Sequence, residues 1–208
     1  MKTSAHIRYK NSEGNIVPGV TTVLSILNKP ALVKWANNLG LQGIDSSKYR
    51  DKMADIGTLA HYLILCHLKK EKPDTSEYSP ENIDKAENCL LSYLEWTKGH
   101  KIEPIIVEKP LVSEKFGYGG TVDCYCKMNG DFCLIDFKTG KGIYEEYIYQ
   151  LAAYKQLLID SGYQVDNVRI LRIGRTENEG FEEKVVKDTE KEWEIFFHCL
   201  GIYELKKR

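Results

Sequence analysis

A hairpin signal in the middle of the chain restricts the fold more than any other feature. Two stretches rich in β-branched, aromatic and cysteine residues, GTVDCYCKM and DFCLIDFKTG, are separated by Asn129-Gly130. Asn-Gly is the strongest short signal for a two-residue β-hairpin, because both turn positions need a positive φ. Such a turn places Asp123 directly opposite Asp136. The sequence therefore predicts an antiparallel strand pair that carries two opposed carboxylates.

Helical patterns precede this hairpin. Apolar residues at helical spacing predict a helix over residues 30–40 and a longer one over residues 46–70. A third helix is predicted over residues 79–99, with Ser79 as its N-cap and Pro80 at its first position.

Strands and helices alternate around and after the hairpin. The segment IEPIIVEKPLVS predicts a strand from Ile102, and apolar spacing predicts a helix over residues 143–161. Strands are predicted over residues 166–173 and 181–187, and the capping-box sequence TEKE at 189–192 predicts the start of a final helix. The expected fold is α/β, a central mixed β-sheet flanked by helices.

The composition fits one soluble domain. With 208 residues, 42% of them hydrophobic and 28% charged, the chain is long enough for a substantial core. We expect a mostly helical part over residues 1–100 and an α/β core over residues 101–208. No apolar run approaches the roughly 18 residues needed to span a bilayer, and the first ten residues are too polar for a secretory signal, so we expect a cytoplasmic protein without a membrane partner.

The cysteines predict no metal centre. None forms a CxxC pair, and most lie within apolar patterns, so we interpret them as reduced core residues. They are Cys66, Cys89, Cys124, Cys126, Cys133 and Cys199.

Charge is uneven along the chain. The net charge of −1 gives no global sign of a nucleic-acid partner, so such a partner would need a local basic patch. Residues 1–50 are the better candidate, because their basic residues outnumber Glu13 and Asp45. The basic residues are Lys2, Arg8, Lys10, Lys29, Lys34, Lys48 and Arg50.

The opposed carboxylates predict a cation site. Asp123 and Asp136 repel each other on a mostly apolar strand pair, and a hard divalent ion such as Mg²⁺ or Mn²⁺ would compensate them. Lys138 points the same way as Asp136. With its pKa lowered by the setting it could deprotonate a water, or it could offset charge on a phosphate. A structural salt bridge of Lys138 with the acidic pair is the alternative.

The sequence resembles a known nuclease superfamily. The segments GYGGTVD, DFKTG twelve residues later, and QLAAY follow each other in order, and the upstream VPGVTTVLSILNKPALVKWANNLG and GTLAH are similar to the start of phage-encoded members. The chain resembles the PD-(D/E)XK nuclease superfamily, in its branch of RecB-like and phage exonucleases, which includes the mitochondrial genome maintenance exonuclease. The resemblance covers about residues 18–158 and implies a restriction-endonuclease-like core.

The resemblance implies roles for matching positions. Asp123 and Asp136 match metal-binding acids, and Lys138 matches the lysine that assists the water. Gln150 and Tyr154 match the Q-x-x-x-Y helix motif that supports the site and contacts the nucleic-acid backbone.

Two further positions match less completely. His61 matches a histidine placed on the metal from a preceding helix, although an isolated histidine there is more often structural. Glu108 is a candidate for a water-mediated metal contact or simply a charge at a strand end. Related nucleases with an iron–sulfur cluster carry three cysteines near the carboxyl end, and here only Cys199 lies there.

The resemblance implies a metal-dependent deoxyribonuclease, an exonuclease acting on single-stranded DNA or DNA ends, with Mg²⁺ or Mn²⁺ as cofactor. Phage or bacterial DNA processing, repair and recombination all fit, as does a homo-oligomer or a replication or recombination partner protein. Two alternatives stay open: a catalytically silent or partner-activated nucleic-acid-binding subunit, and a sequence- or structure-specific endonuclease.

Overall fold

The predicted hairpin lies at the centre of a five-stranded mixed sheet. The structure, a computed structural model, describes residues 7–207, so Lys2 of the basic segment lies outside the described residues. The strands are β1 (Tyr9–Lys10), β2 (Ile16–Val17), β3 (Ile102–Ser113), β4 (Tyr118–Met128), β5 (Asp131–Thr139), β6 (Asn167–Ile173) and β7 (Phe181–Val186). The large sheet has the order β3-β4-β5-β6-β7, and only the β5–β6 pair is parallel.

Helices cover both faces of this sheet, which confirms the expected α/β class. They are α1 (Val20–Leu24), α2 (Pro30–Leu41), α3 (Ser46–Lys69), α4 (Pro80–Thr97), α5 (Glu145–Asp160) and α6 (Glu190–Lys206). One core joins α1, α5 and α6 to the sheet, and a second joins α3 and α4 to the opposite face. Helices from both halves of the chain therefore enclose the sheet. No helix within residues 7–207 combines the length and apolar character that crossing a membrane requires.

All six cysteines are buried and none forms a disulfide, as the sequence predicts. Three of them, Cys124, Cys126 and Cys133, lie in the core beneath α3 and α4. Small apolar side chains there let two helices pack close to the sheet.

The hairpin register is the predicted one over most of its length. Met128 pairs with Asp131, and the ladder continues in step as far as Cys124 and Ile135. There the strands part, because the Asp123 carboxylate Oδ2 accepts a hydrogen bond from the backbone N–H of Phe137 at 3.0 Å. A side chain thus replaces a backbone acceptor, and the strand pair opens at the position where the carboxylates lie.

The helix caps follow the sequence signals in part. The Ser79 side chain accepts the N–H of Asn82 at 3.3 Å at the start of α4, as predicted. The capping box expected at the start of α6 is wrong, since the Thr189 side chain makes no cap hydrogen bond. The Asp188 carboxylate instead accepts the N–H of Glu190 at 2.9 Å.

A small N-terminal hairpin was not predicted. Strands β1 and β2 pair with each other, and the Tyr9 ring packs on Gly119, where a Cβ would lie 2.5 Å from the ring. The Gly119 N–H donates to the Pro18 carbonyl at 2.9 Å. The glycines of GYGG thus let the N-terminal segment lie directly on β4, and Tyr9 also bonds Thr121 through its hydroxyl at 3.0 Å.

Candidate functional site

An open cleft of about 520 Å³ lies between α3 and the open end of the hairpin. Four of the predicted site residues line it. They are His61, Glu108, Asp123 and Lys138. The cleft therefore gathers residues that are far apart in sequence around the point where β4 and β5 separate.

Asp136 lies behind this cleft, with 1% of its surface exposed. The Nζ of Lys138 lies 2.6 Å from its Oδ2. The Asp136 carboxylate is therefore paired with the Lys138 ammonium inside the protein. A buried carboxylate is costly unless a proton or a cation satisfies it, and here the ammonium does so.

Burial and neighbouring charges shift the pKa values of Asp136 and Lys138. Desolvation raises the pKa of Asp136 to about 6, helped by the nearby Asp123 carboxylate and opposed by Lys138. For Lys138, desolvation lowers the pKa, but the Asp136 and Asp123 carboxylates outweigh it and raise the pKa. Two anions that face one ammonium favour its charged form. The lowered lysine pKa expected from the sequence applies beside a bound cation and stays a prediction.

His61 joins α3 to β5 next to Asp123. Its Nε2 lies 2.5 Å from the Phe137 carbonyl oxygen, which can only accept, so the ring proton belongs on Nε2. In the neutral ring the lone pair is then on Nδ1, which lies 3.8 Å from the Asp123 Oδ2. The histidine and the carboxylate present two donor atoms to one side of the cleft.

Glu108 lies beside Asp123 but is turned to another partner. Its neighbours Val107 and Lys109 pair with Cys124 and Val122, and its own backbone has a φ of 52°. The Glu108 carboxylate accepts a hydrogen bond from Lys69 at 2.9 Å. A direct or water-mediated metal contact would compete with that ion pair.

The donor set fits a hard divalent cation in part. Within residues 7–207, no three His, Cys, Asp or Glu side chains already converge to hold a metal ion, and lysines contact Asp136 and Glu108. Two ligands of Mg²⁺ at roughly 2.1 Å lie roughly 3 to 4 Å apart, which suits the 3.8 Å between His61 and Asp123. Asp123 and Asp136 share the single ammonium of Lys138, so a cation would balance the second carboxylate.

Gln150 and Tyr154 lie on α5, on the side of the sheet behind the cleft. The Gln150 Nε2 donates to the Tyr154 hydroxyl at 2.7 Å, so the pair predicted to share a helix face does so. Burial, followed by the Asp136 and Asp123 carboxylates, raises the pKa of Tyr154 well above its usual value. The Tyr154 ring packs on Gly120, where a Cβ would lie 2.5 Å from it. Neither residue lines the cleft, so both act from behind it.

Several residues of the site were missed in the sequence. The Tyr147 ring lies under the Lys138 ammonium, with 5.1 Å between Nζ and the ring centroid. Tyr147 precedes Gln150 by three residues and so shares its helix face, and this spacing could have indicated that Tyr147 lies near the site. Arg175 also lines the cleft, and no local pattern marks it, because the tertiary fold brings it there. Arg50, which belongs to the basic segment singled out in the sequence, lines the cleft as well.

Close packing holds α3 against the sheet. Gly57 lies on the side of α3 that meets the end of β5, where a Cβ would come within 2.6 Å of the Thr139 Oγ1. A glycine here lets the helix carrying His61 approach the strand carrying Lys138. The GTLAH segment thus contributes both the close approach and the imidazole.

Comparison with solved structures identifies the fold. A crystal structure of a candidate exonuclease from Eubacterium rectale matches with a TM-score of 0.51 and 13% identity, over 73% of this chain and 65% of that one. A crystal structure of an alkaline exonuclease from Laribacter hongkongensis matches at 15% identity with a TM-score of 0.37, over 75% of this chain and 89% of that one.

No protein-family model and no curated protein matches the sequence. The chain spans about 65% of the length of the Eubacterium rectale protein. The two share a fold, a mixed sheet enclosed by helices as in the restriction-endonuclease-like core.

Proposed function

We propose that this protein is a metal-dependent deoxyribonuclease, an exonuclease of the PD-(D/E)XK type that acts on single-stranded DNA or DNA ends. The observation that carries the proposal is that two carboxylates, Asp123 and the buried Asp136, face the single ammonium of Lys138 beside an open cleft. A structural salt bridge alone would not require Asp123 and His61 to face the same place. The likeness to a candidate exonuclease supports the fold on which the site rests.

In this proposal Asp123 and Asp136 hold Mg²⁺ or Mn²⁺, with His61 as a further ligand through Nδ1. The cation would lower the pKa of a bound water and stabilise charge on the phosphate. The bound water would lose a proton to solvent and its oxygen would form the new bond to phosphorus, while the bond to the leaving sugar oxygen breaks and that oxygen takes up a proton from solvent.

Lys138 would act on the attacking water and on the phosphate. Its ammonium can hold the attacking water by a hydrogen bond and offset negative charge on the phosphate, whereas removing a proton from that water needs a neutral amine. Tyr147 would position Lys138 through its ring, while Gln150 bonds Tyr154 behind the cleft.

End-labelled DNA tests this function. Linear and circular substrates, single-stranded and duplex, are incubated with Mg²⁺, Mn²⁺ or EDTA. We expect linear DNA to be degraded only with a divalent cation and circles to be spared. Cleavage of circles would contradict an exonuclease and indicate a structure-specific endonuclease. Absence of cleavage with either metal would overturn the proposal that the protein is an enzyme and would indicate a binding or partner-activated subunit.

A further inference from the structure

Arg175 is a buried cation in the wall of the cleft that the proposed chemistry does not use. It follows β6, and 9% of its surface is exposed. The Glu179 carboxylate forms a bidentate pair with one edge of its guanidinium, accepting hydrogen bonds from Nε at 2.9 Å and from Nη2 at 2.6 Å. The same carboxylate accepts the Arg175 backbone N–H at 2.9 Å. The side chain is therefore held in one orientation.

The topology places Arg175 at the same sheet edge as Lys138. Strands β5 and β6 are parallel, with Thr139 beside Ile173, and parallel strands end on the same edge. Arg175 lies two residues past that last pair and lines the cleft together with Lys138 and Asp123. Since Glu179 occupies the Nε–Nη2 edge, the Nη1 edge points away from it and remains for another acceptor.

Arg175 braces the turn after β6 through Glu179, but other contacts close this turn as well. The turn is already closed by the Gly174 N–H, which donates to the Gly180 carbonyl at 2.8 Å. Arg172 secures it again, donating from Nη1 to the Glu179 carbonyl at 2.6 Å. A further charged side chain that is nine-tenths buried in the wall of an open cleft indicates a role toward a ligand.

We propose that Arg175 binds a backbone phosphate of the nucleic-acid strand, at a linkage next to the one that is hydrolysed, and that Glu179 positions it. This inference rests on the proposed function. A planar guanidinium is suited to a phosphate diester, and a phosphate contact gives affinity without sequence preference. Arg175 thus sets the register of the strand in the cleft, while Lys138 and the carboxylates meet the reacting phosphate.

Binding measured without cleavage tests this inference. Fluorescence anisotropy of a labelled single-stranded oligonucleotide in EDTA gives the affinity at several KCl concentrations. Arg175→Met should weaken binding and reduce the slope of log K against log salt by about 0.7, the value for one phosphate contact on a single strand. Arg169→Met is the matched control, because Arg169 also pairs with a carboxylate, Glu183, but lies outside the cleft.

A neutral linkage locates the contact. A methylphosphonate is placed at each linkage in turn, and the wild type should lose affinity at one linkage that the Arg175→Met protein no longer senses. Should Arg175→Met unfold, the double variant Arg175→Met/Glu179→Met removes both partners and leaves no buried unpaired carboxylate.

The outcomes separate the two proposals. A folded Arg175 variant with the wild-type salt slope and the wild-type methylphosphonate profile overturns the inference, even if the wild type degrades DNA. A wild type that neither binds nor cuts DNA overturns the proposed function and the inference together. Weaker binding confined to the Arg175 variants, with Arg169→Met unchanged, supports the inference.

Discussion

Asp136 and Lys138 form a buried ion pair next to a second carboxylate, Asp123. Burial and the Asp123 carboxylate favour the neutral acid of Asp136, whereas the adjacent ammonium favours its carboxylate. Removing one member of a buried pair leaves an uncompensated charge and costs about 3 to 5 kcal/mol. At this position a divalent cation could compensate the carboxylate instead of the lysine.

Lys138→Met should therefore lower the melting temperature in EDTA, and excess Mn²⁺ should recover part of the loss. Differential scanning calorimetry with and without metal measures both effects. Lys69→Met is the matched control, because Lys69 pairs with Glu108 nearer the surface and should contribute about 1 kcal/mol or less. Equal losses in the two variants, or no recovery with metal, would contradict this account of the buried pair.

Glu179 should make the stability of the folded protein depend on pH. Hydrogen bonds from Arg175 lower the pKa of this carboxyl in the folded protein. Its contribution to stability is present above the unfolded pKa of about 4.5 and is lost as pH falls through the lower folded pKa. The stability difference between wild type and Glu179→Gln, from urea unfolding at pH 7 and pH 3, should shrink at pH 3. A difference independent of pH would show that the carboxylate charge contributes nothing.

At the scale of elements, the site depends on how closely α3 approaches β5. Gly57→Ala adds a Cβ that would lie 2.6 Å from the Thr139 Oγ1. The helix or the threonine must move, at a cost of about 1 to 3 kcal/mol that better helix propensity only partly offsets. The movement should also displace His61 and reduce metal-dependent cleavage.

Thr139→Ala should rescue Gly57→Ala, because the next atom met by the added Cβ lies 3.8 Å away. Gly201→Ala in α6 is the control for propensity, since no atom lies within 4 Å of its added Cβ, and it should be neutral or stabilising. Chemical denaturation and cleavage rates of the four proteins decide the question. The close approach is refuted if Gly57→Ala behaves like Gly201→Ala.

Local signals explain which elements could be predicted. Asn129-Gly130 sets the register of β4 and β5, and Ser79 with Pro80 sets the start of α4, so both follow from the sequence alone. Thr189 is not a cap, because Asp188 offers the nearer acceptor for the first free N–H. The two-residue strands β1 and β2 carry too few residues for a period of two to appear.

Tertiary contacts explain what could not be predicted in the site. Asp123, Asp136 and Lys138 lie on one hairpin, so their proximity follows from its register. Arg175 reaches the cleft only because β6 is parallel to β5 after the α5 crossover, and Glu108 turns toward Lys69 through a backbone φ of 52°.

For the whole molecule, two cores on opposite faces of one sheet hold the parts of the site in place. α3 brings His61 from one face, and α5 brings Tyr147 and Gln150 from the other, while the sheet presents Asp123 and Lys138 between them. Because the site is assembled from both faces, unfolding of the domain separates all of its parts at once. Activity and cooperative unfolding should therefore disappear together on heating.

The proposed metal-dependent nuclease activity is tested most directly by the rate at which Asp136→Asn degrades linear DNA with Mn²⁺. Asp166→Asn, purified identically, is the control, because Asp166 accepts the Phe132 N–H at the far end of β5. We predict that Asp136→Asn loses activity by at least about 100-fold, since the buried anion that would hold the cation is gone, while Asp166→Asn keeps the wild-type rate. Equal activity of Asp136→Asn and wild type would contradict the account.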